Sequence, residues 1–182
     1  HYNRFKAEPG GYWDDRLDLR DSLYGDGDVA PNSAHDALAS LEADGQLEAV
    51  ITQNVDGLHR EAGSESVIHL HGTSSRVACE SCGARYPAEP IHERAEEGEL
   101  PPRCDDCDGV LKPDVVLFGE ALPTGALNAA RRHAREADLF LAVGSSLTVE
   151  PAASLPVVAA RHGARIAVVN LESTSVSGQA AY

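Results

Sequence analysis

Short, nearly uninterrupted apolar runs punctuate the chain at residues 49–52, 67–70, 115–118, 139–143 and 166–169. Runs of this length that are apolar throughout, and not alternating, predict strands buried on both faces. Between them the spacing changes to a helical one. Pro31-Asn32-Ser33 reads as a cap for a helix through Ala34, Leu38 and Leu41, ended by Gly45. Residues 127–137 are helical in pattern, and 151–162 suit a helix with Pro151 near its first turn that Pro156 kinks or shortens. Residues 1–30 read as a polar helical approach in which Tyr12, Trp13, Leu17, Leu19 and Leu23 supply apolar contacts, broken by Gly25-Asp26-Gly27-Asp28. Strand, helix, strand, helix in the last third predicts an α/β fold with a parallel sheet covered by helices on both faces. In such sheets ligands sit beyond the carboxyl ends of the strands, so the polar residues that follow the strands are the first places to look.

The stretch from Thr73 to Pro113 lacks this rhythm and reads as an inserted module. It holds all four cysteines, as Cys79-x-x-Cys82 and Cys104-x-x-Cys107, with Gly83 and Gly109 just after the pairs. Each pair can present two thiolates from one tight turn, and two turns complete a tetrahedral Zn2+ site. Four thiolates leave no open position, so the metal is expected to be structural. Unliganded buried cysteines do not account for the paired spacing, and a redox role for one pair leaves the other unexplained.

Four polar clusters close the predicted strands. Thr52-Gln53-Asn54-Val55-Asp56-Gly57-Leu58-His59 offers amide and carboxylate groups to a polar ligand, although a capped turn accounts for it as well. His69-Leu70-His71-Gly72 places two histidines on one face of an alternating strand, with Gly72 allowing close approach to His71. A histidine suits a general base, although a lone one at such a place is more often structural. Gly144-Ser145-Ser146 has the small residues of a phosphate or ribose cradle, and Asn170-Leu171-Glu172 could hold ribose hydroxyls. Each of these two is weak alone.

Composition narrows the partners. The 182 residues include 29 acidic against 15 basic ones, a formal charge of −14. Only Lys6 and Lys112 are lysines. Such a surface repels a phosphate backbone, so direct nucleic-acid binding is not expected. It suits a cytoplasm at very high salt, where screening removes the self-repulsion, although an acidic mesophile protein accounts for it as well. No apolar run is long enough to span a membrane, and no signal segment opens the chain, so a cytoplasmic location is expected. The chain begins at His1 and has no Met, which predicts a trimmed or incomplete N-terminus.

Taken together and in order, Gln53-Asn54-Val55-Asp56, Leu70-His71-Gly72, the paired cysteines, Lys112-Pro113-x-Val115-Val116-x-Phe118-Gly119-Glu120, Gly144-Ser145-Ser146 and Asn170-Leu171-Glu172 resemble the sirtuin family of NAD-dependent protein lysine deacetylases. The resemblance implies a Rossmann-like domain over 1–72 and 113–182, with a zinc module over 73–112. It implies NAD as co-substrate and an acetylated protein or peptide as partner. Gln53, Asn54 and Asp56 would line the nicotinamide and ribose pocket, and His71 would be the general base. Gly144, Ser145, Ser146, Asn170, Leu171 and Glu172 would hold phosphates and the adenosine ribose. Val116, Leu117, Phe118, Gly119 and Glu120 would pair with substrate main chain, with Val116 and Phe118 walling the lysine tunnel; ordinary core packing is the other role open to those two. The acetyl oxygen would attack the ribose carbon as nicotinamide leaves, and His71 would then deprotonate a ribose hydroxyl. Sirtuins that prefer succinyl or malonyl groups resemble one another in a Tyr-x-x-Arg pair after the Trp here numbered 13. Arg16 and Leu19 stand there instead, which implies an uncharged acyl group.

The family's first strand, its Gly-Ala-Gly-x-Ser loop and its Phe-Arg pair do not precede His1, and its last strand and helix do not follow Tyr182. The resemblance thus implies an incomplete NAD-binding domain that binds the dinucleotide poorly or not at all. Two other functions fit the same residues: a protein ADP-ribosyltransferase on this scaffold, and a non-catalytic zinc-binding fragment.

Overall fold

The computed structural model describes residues 1–24 and 29–181; the expected break at Gly25-Asp26-Gly27-Asp28 and the side chain of Leu23 fall outside the described residues. The chain divides into two compact units, His1–Leu122 and Pro123–Tyr182.

In the first unit, α1 (Tyr2–Ala7) and α2 (Pro9–Tyr24) carry Phe5 and Trp13 into a core. Trp13 is wholly buried and its indole Nε1 donates to the Leu111 carbonyl at 2.8 Å, so both its apolar body and its polar edge are satisfied. Helix α3 (Ser33–Ala43) starts where the cap pattern places it: the Asn32 side chain accepts from the backbone N–H groups of Ala34 and His35. Strand β1 (Val50–Thr52) pairs in parallel with β2 (Val67–His69), Thr52 lying opposite His69, and the short helix α4 (Leu58–Glu61) sits between them in sequence.

The segment without strand-helix rhythm contains the longest strand of the molecule. Strand β3 (Gly72–Cys79) is flanked on both sides by antiparallel neighbours, β4 (Arg85–Pro87) and β5 (Leu111–Val115), with α5 (Ala88–Glu96) against it. Val77, Cys79, Ile91, Ala95, Cys104 and Leu111 join Phe5 and Trp13 in one buried cluster. The expected strand at 115–118 therefore needs correcting: β5 ends at Val115, and residues 116–118 form a loop in which Phe118 is 71% exposed.

The second unit is α6 (Thr124–Glu136), β6 (Leu139–Val143), a 3₁₀ turn at Ala152–Ser154, α7 (Leu155–Arg161) and β7 (Arg165–Val169). Pro156 lies in the first turn of α7, where its missing N–H is harmless, so the expected 151–162 helix is divided and not kinked. β6 and β7 pair in parallel from Leu139↔Arg165 to Val143↔Val169. Strand type is as expected, but burial is one-sided: Leu139, Leu141, Val143 and Val169 are exposed. Among the described residues no helix is long and apolar enough to cross a membrane.

Candidate functional site

The chemistry-bearing residues of the first unit gather where β1, β2 and β5 end and β3 begins. The Thr52 carbonyl accepts from the Leu70 N–H at 3.0 Å, holding the β1 and β2 ends in step. Its hydroxyl, buried with the rest of Thr52, accepts from the Asn54 N–H at 3.0 Å and turns the chain so that the Gln53 carbonyl faces His71. His71 Nδ1 lies 3.1 Å from that carbonyl. A carbonyl only accepts, so Nδ1 is the protonated nitrogen and Nε2 carries the lone pair in the neutral ring.

His71 does not share a strand face with His69, the arrangement expected from alternation. β2 stops at His69, and Leu70-His71 form a tight turn into β3. Gly72 makes that turn possible. Its φ is +77°, and a Cβ there would lie 2.0 Å from the Asp114 carbonyl oxygen. The close approach that Gly72 permits is thus to the backbone of β5. Val116 N–H then donates to the His71 carbonyl at 2.9 Å, tying the loop after β5 to the histidine's own main chain.

Asp56 has a local partner: one carboxylate oxygen accepts the Leu58 N–H at 3.0 Å, at the start of α4. Asn54 is exposed, and the His35 and His59 rings lie 4.7 Å apart. Burial, helped by His35, holds His59 below the ordinary histidine range, and burial does the same for His69.

The loop 116–120 is organised by a residue whose chemistry the sequence does not advertise. Lys112 is buried, and its ammonium uses all three donors: to Pro113 O at 3.2 Å, Val115 O at 2.8 Å and Glu120 Oε2 at 3.1 Å. The same carboxylate oxygen accepts the Leu117 N–H at 2.7 Å. Gly119, at φ +98°, completes the turn that brings the Glu120 N–H to the Leu117 carbonyl. Val116 and Leu117 are half-buried, while Phe118 and Gly119 face outward.

The four cysteines converge, with every Sγ within 4.8 Å of the others. Ser81 N–H points at Cys79 Sγ at 3.3 Å, and Gly109 leaves space that a Cβ would fill at 2.7 Å from the same sulfur. Burial works to raise the Cys79 thiol, but the N–H groups of Cys82 and Ser81 and the neighbouring thiols outweigh it and hold it at about 6. Four convergent sulfurs, one already favouring the thiolate, fit a structural Zn2+ held by Cys79, Cys82, Cys104 and Cys107.

In the second unit, Gly144 at φ +59° extends the β6–β7 pairing by one bond to the Val169 carbonyl. Ser145 Oγ accepts the Leu147 N–H, and Ser146 Oγ meets Thr148 Oγ1 at 2.9 Å. Asn170 Nδ2 donates to the Glu172 carbonyl at 2.8 Å, closing a turn that leaves Leu171 fully exposed. This turn borders an open depression of about 410 Å³ that Val168, Ser173 and Ser177 also line. Small residues, hydroxyls and main-chain groups beyond two parallel strands are the donor set a dinucleotide needs.

Fold and site thus define an α/β protein with polar clusters beyond the carboxyl ends of its parallel strands and a four-cysteine knuckle that fits a metal. The profile of the Sir2 family matches residues 2–151, and the chain belongs to that family. It is similar to the NAD-dependent protein deacetylase of Haloarcula marismortui, with 56% identity over 183 residues, covering 100% of this chain and 70% of the relative. Similarity to the NAD-dependent protein deacetylase of Caldivirga maquilingensis is 46% over 168 residues, covering 92% of this chain and 63% of the relative. Among solved structures, Sir2 with a p53 peptide and NAD+ superposes with a TM-score of 0.90 at 37% identity, over 100% of this chain and 74% of that one. The chain therefore spans about two thirds of the length of these curated relatives.

Proposed function

We propose that the protein is an NAD-dependent protein lysine deacylase that moves the acetyl group of an acetylated protein or peptide to ADP-ribose, releasing nicotinamide. One observation carries the reading: a histidine with its tautomer set by the Gln53 carbonyl stands at a strand end, bonded through its backbone to a loop that exposes Phe118. NAD, consumed as co-substrate, supplies the ribose on which the acyl group is received. His71 Nε2 takes the proton of a ribose hydroxyl, and the Gln53 carbonyl steadies the imidazolium that results. Gln53, Asn54 and Asp56 hold the nicotinamide and its ribose. Gly144, Ser145, Ser146, Asn170, Leu171 and Glu172 hold phosphates and the adenosine ribose. Residues Val116, Leu117, Phe118, Gly119 and Glu120 receive the substrate main chain by strand addition, with Val116 and Phe118 flanking the acyl-lysine. Zn2+ holds the 73–112 module together and takes no part in proton transfer. Arg16 and Leu19, in place of a Tyr-x-x-Arg pair, favour an uncharged acyl group. A cytoplasmic location, with neither nucleic acid nor membrane as partner, completes the reading.

The test is nicotinamide release from NAD at high salt, with and without an acetyl-lysine peptide. Peptide-dependent release supports the assignment, and because His71 acts after nicotinamide leaves, His71→Ala should lower formation of the deacylated peptide by about 100-fold or more. Release independent of peptide, with label from NAD appearing on protein, would replace it with ADP-ribosyl transfer.

A further inference from the structure

Lys112 and Glu120 are eight residues apart in sequence, on β5 and at the far end of the 116–120 loop, and their charges meet at 3.1 Å with the lysine side chain only 8% exposed. A charge so buried is tolerated only when paired and fully hydrogen-bonded, and this one is: each ammonium proton has an acceptor. What distinguishes the pair is where its bonds go. Two Lys112 bonds seize main-chain carbonyls at Pro113 and Val115, where β5 ends. Glu120 reaches back to the Leu117 N–H. Between those anchors the Val116 N–H is bonded to the His71 carbonyl. No apolar contact could fix these groups, because all of them are polar main chain at a strand end. The exposed Phe118 lies inside the bracket, its carbonyl accepting the Tyr2 N–H at 3.0 Å and its ring 5.6 Å from that of His1.

We infer that the Lys112–Glu120 ion pair is a positioning device for acyl-peptide binding. It fixes the main chain of 115–117, with the Val116 and Leu117 N–H groups bonded within the protein, and it sets that loop in register with the backbone of His71. In this role Lys112 does not touch substrate, and the Glu120 carboxylate acts through the Leu117 N–H while only the Glu120 main chain is left to the peptide. The inference rests on the deacylase reading, since it requires that an acyl-lysine peptide be what the loop receives. It adds that the affinity of the loop is set from beneath, by a charge pair, and not by the side chains that face the ligand.

The experiment uses the whole chain, zinc-loaded, and a fluorescent acetyl-lysine peptide, with binding followed by anisotropy. The variants are Lys112→Met, Glu120→Gln and Lys112→Arg. Zinc stoichiometry, far-ultraviolet circular dichroism and amide hydrogen exchange at Val116 and Leu117 are measured on each. Expected results are about tenfold weaker peptide binding for Lys112→Met and Glu120→Gln, with faster exchange at Leu117 and unchanged zinc content and helicity. Lys112→Arg, which keeps charge and donors, should return affinity to within about threefold of the parent. Parent-like affinity in both disrupting variants overturns the inference while leaving the deacylase reading intact. Affinity that falls only in step with zinc loss or unfolding overturns it too, since the pair would then be a general structural element. A parent chain that binds an acetyl-lysine peptide no better than its unacetylated form overturns the deacylase reading itself, and the inference with it.

Discussion

At the scale of single residues, two positions show how much a local environment can decide. Gly72 combines a left-handed backbone with a neighbour that would sit 2.0 Å from any added Cβ. Gly72→Ala is therefore expected to cost at least about 3 kcal/mol in urea unfolding, since neither the φ angle nor the Asp114 carbonyl can yield cheaply; a loss below about 1 kcal/mol would mean that the turn relaxes. His92 is buried against Trp13, ring centroids 5.7 Å apart, and among the described residues neither ring nitrogen has a hydrogen-bond partner. Burial, with Arg20 and Arg16 nearby, depresses it to about 4. In the unfolded chain the ring titrates near about 6.5, so between those values the unfolded state binds a proton that the folded state refuses. Stability should thus fall as pH drops from about 6.5 to about 4, by at most about 3 kcal/mol from this group. Urea midpoints for the parent and His92→Leu across that window measure it; parallel pH profiles would show that His92 is solvated. The tautomer of His71 belongs to the same scale. The residue is visible in the sequence but its orientation is not, because the group that sets it is the carbonyl of Gln53, 18 positions away.

At the scale of elements, legibility followed the source of each element's order. The α3 cap at Asn32 was readable because it is satisfied within three residues. β1, β6 and β7 were readable from apolar runs. β3 was not, since Gly-Thr-Ser-Ser-Arg-Val-Ala-Cys holds its shape by pairing on both edges and by what the cysteines bind. The apolar run at 115–118 misled for the complementary reason: its last residues are held by Lys112 and Glu120 and are not driven into a core. The metal knuckle yields a prediction at this scale. Chelating the zinc, or changing Cys79 to Ser, should speed hydrogen exchange throughout β3, β4, β5 and α5 while the amides of β6 and β7 keep their protection. Uniform loss of protection would indicate that the chain unfolds as one cooperative whole.

For the molecule as a whole, the dominant quantity is charge. A formal charge of −14 on 182 residues, with only two lysines, means that compaction works against long-range repulsion. Ion pairs such as Arg20 with Glu89 and Glu96, or Arg94 with Glu99 and Asp105, relieve it locally and are themselves largely exposed. The melting temperature should accordingly rise as KCl is increased from about 0.05 M to about 1 M, where the screening length shrinks from beyond about 10 Å to about 3 Å. A melting temperature indifferent to salt would show that the repulsion is already balanced. The bond from the Val116 N–H to the His71 carbonyl bears on a longer timescale. It joins two backbones, so no side chain at Val116, Leu117 or Phe118 is needed to make it, and only a proline at 116 would remove its donor. In the proposed deacylase, mutation can therefore explore those three positions as an open alphabet, retuning which peptides are accepted while His71 keeps its alignment. A lineage that inherits this wiring can diversify its substrates one letter at a time without first dismantling its chemistry.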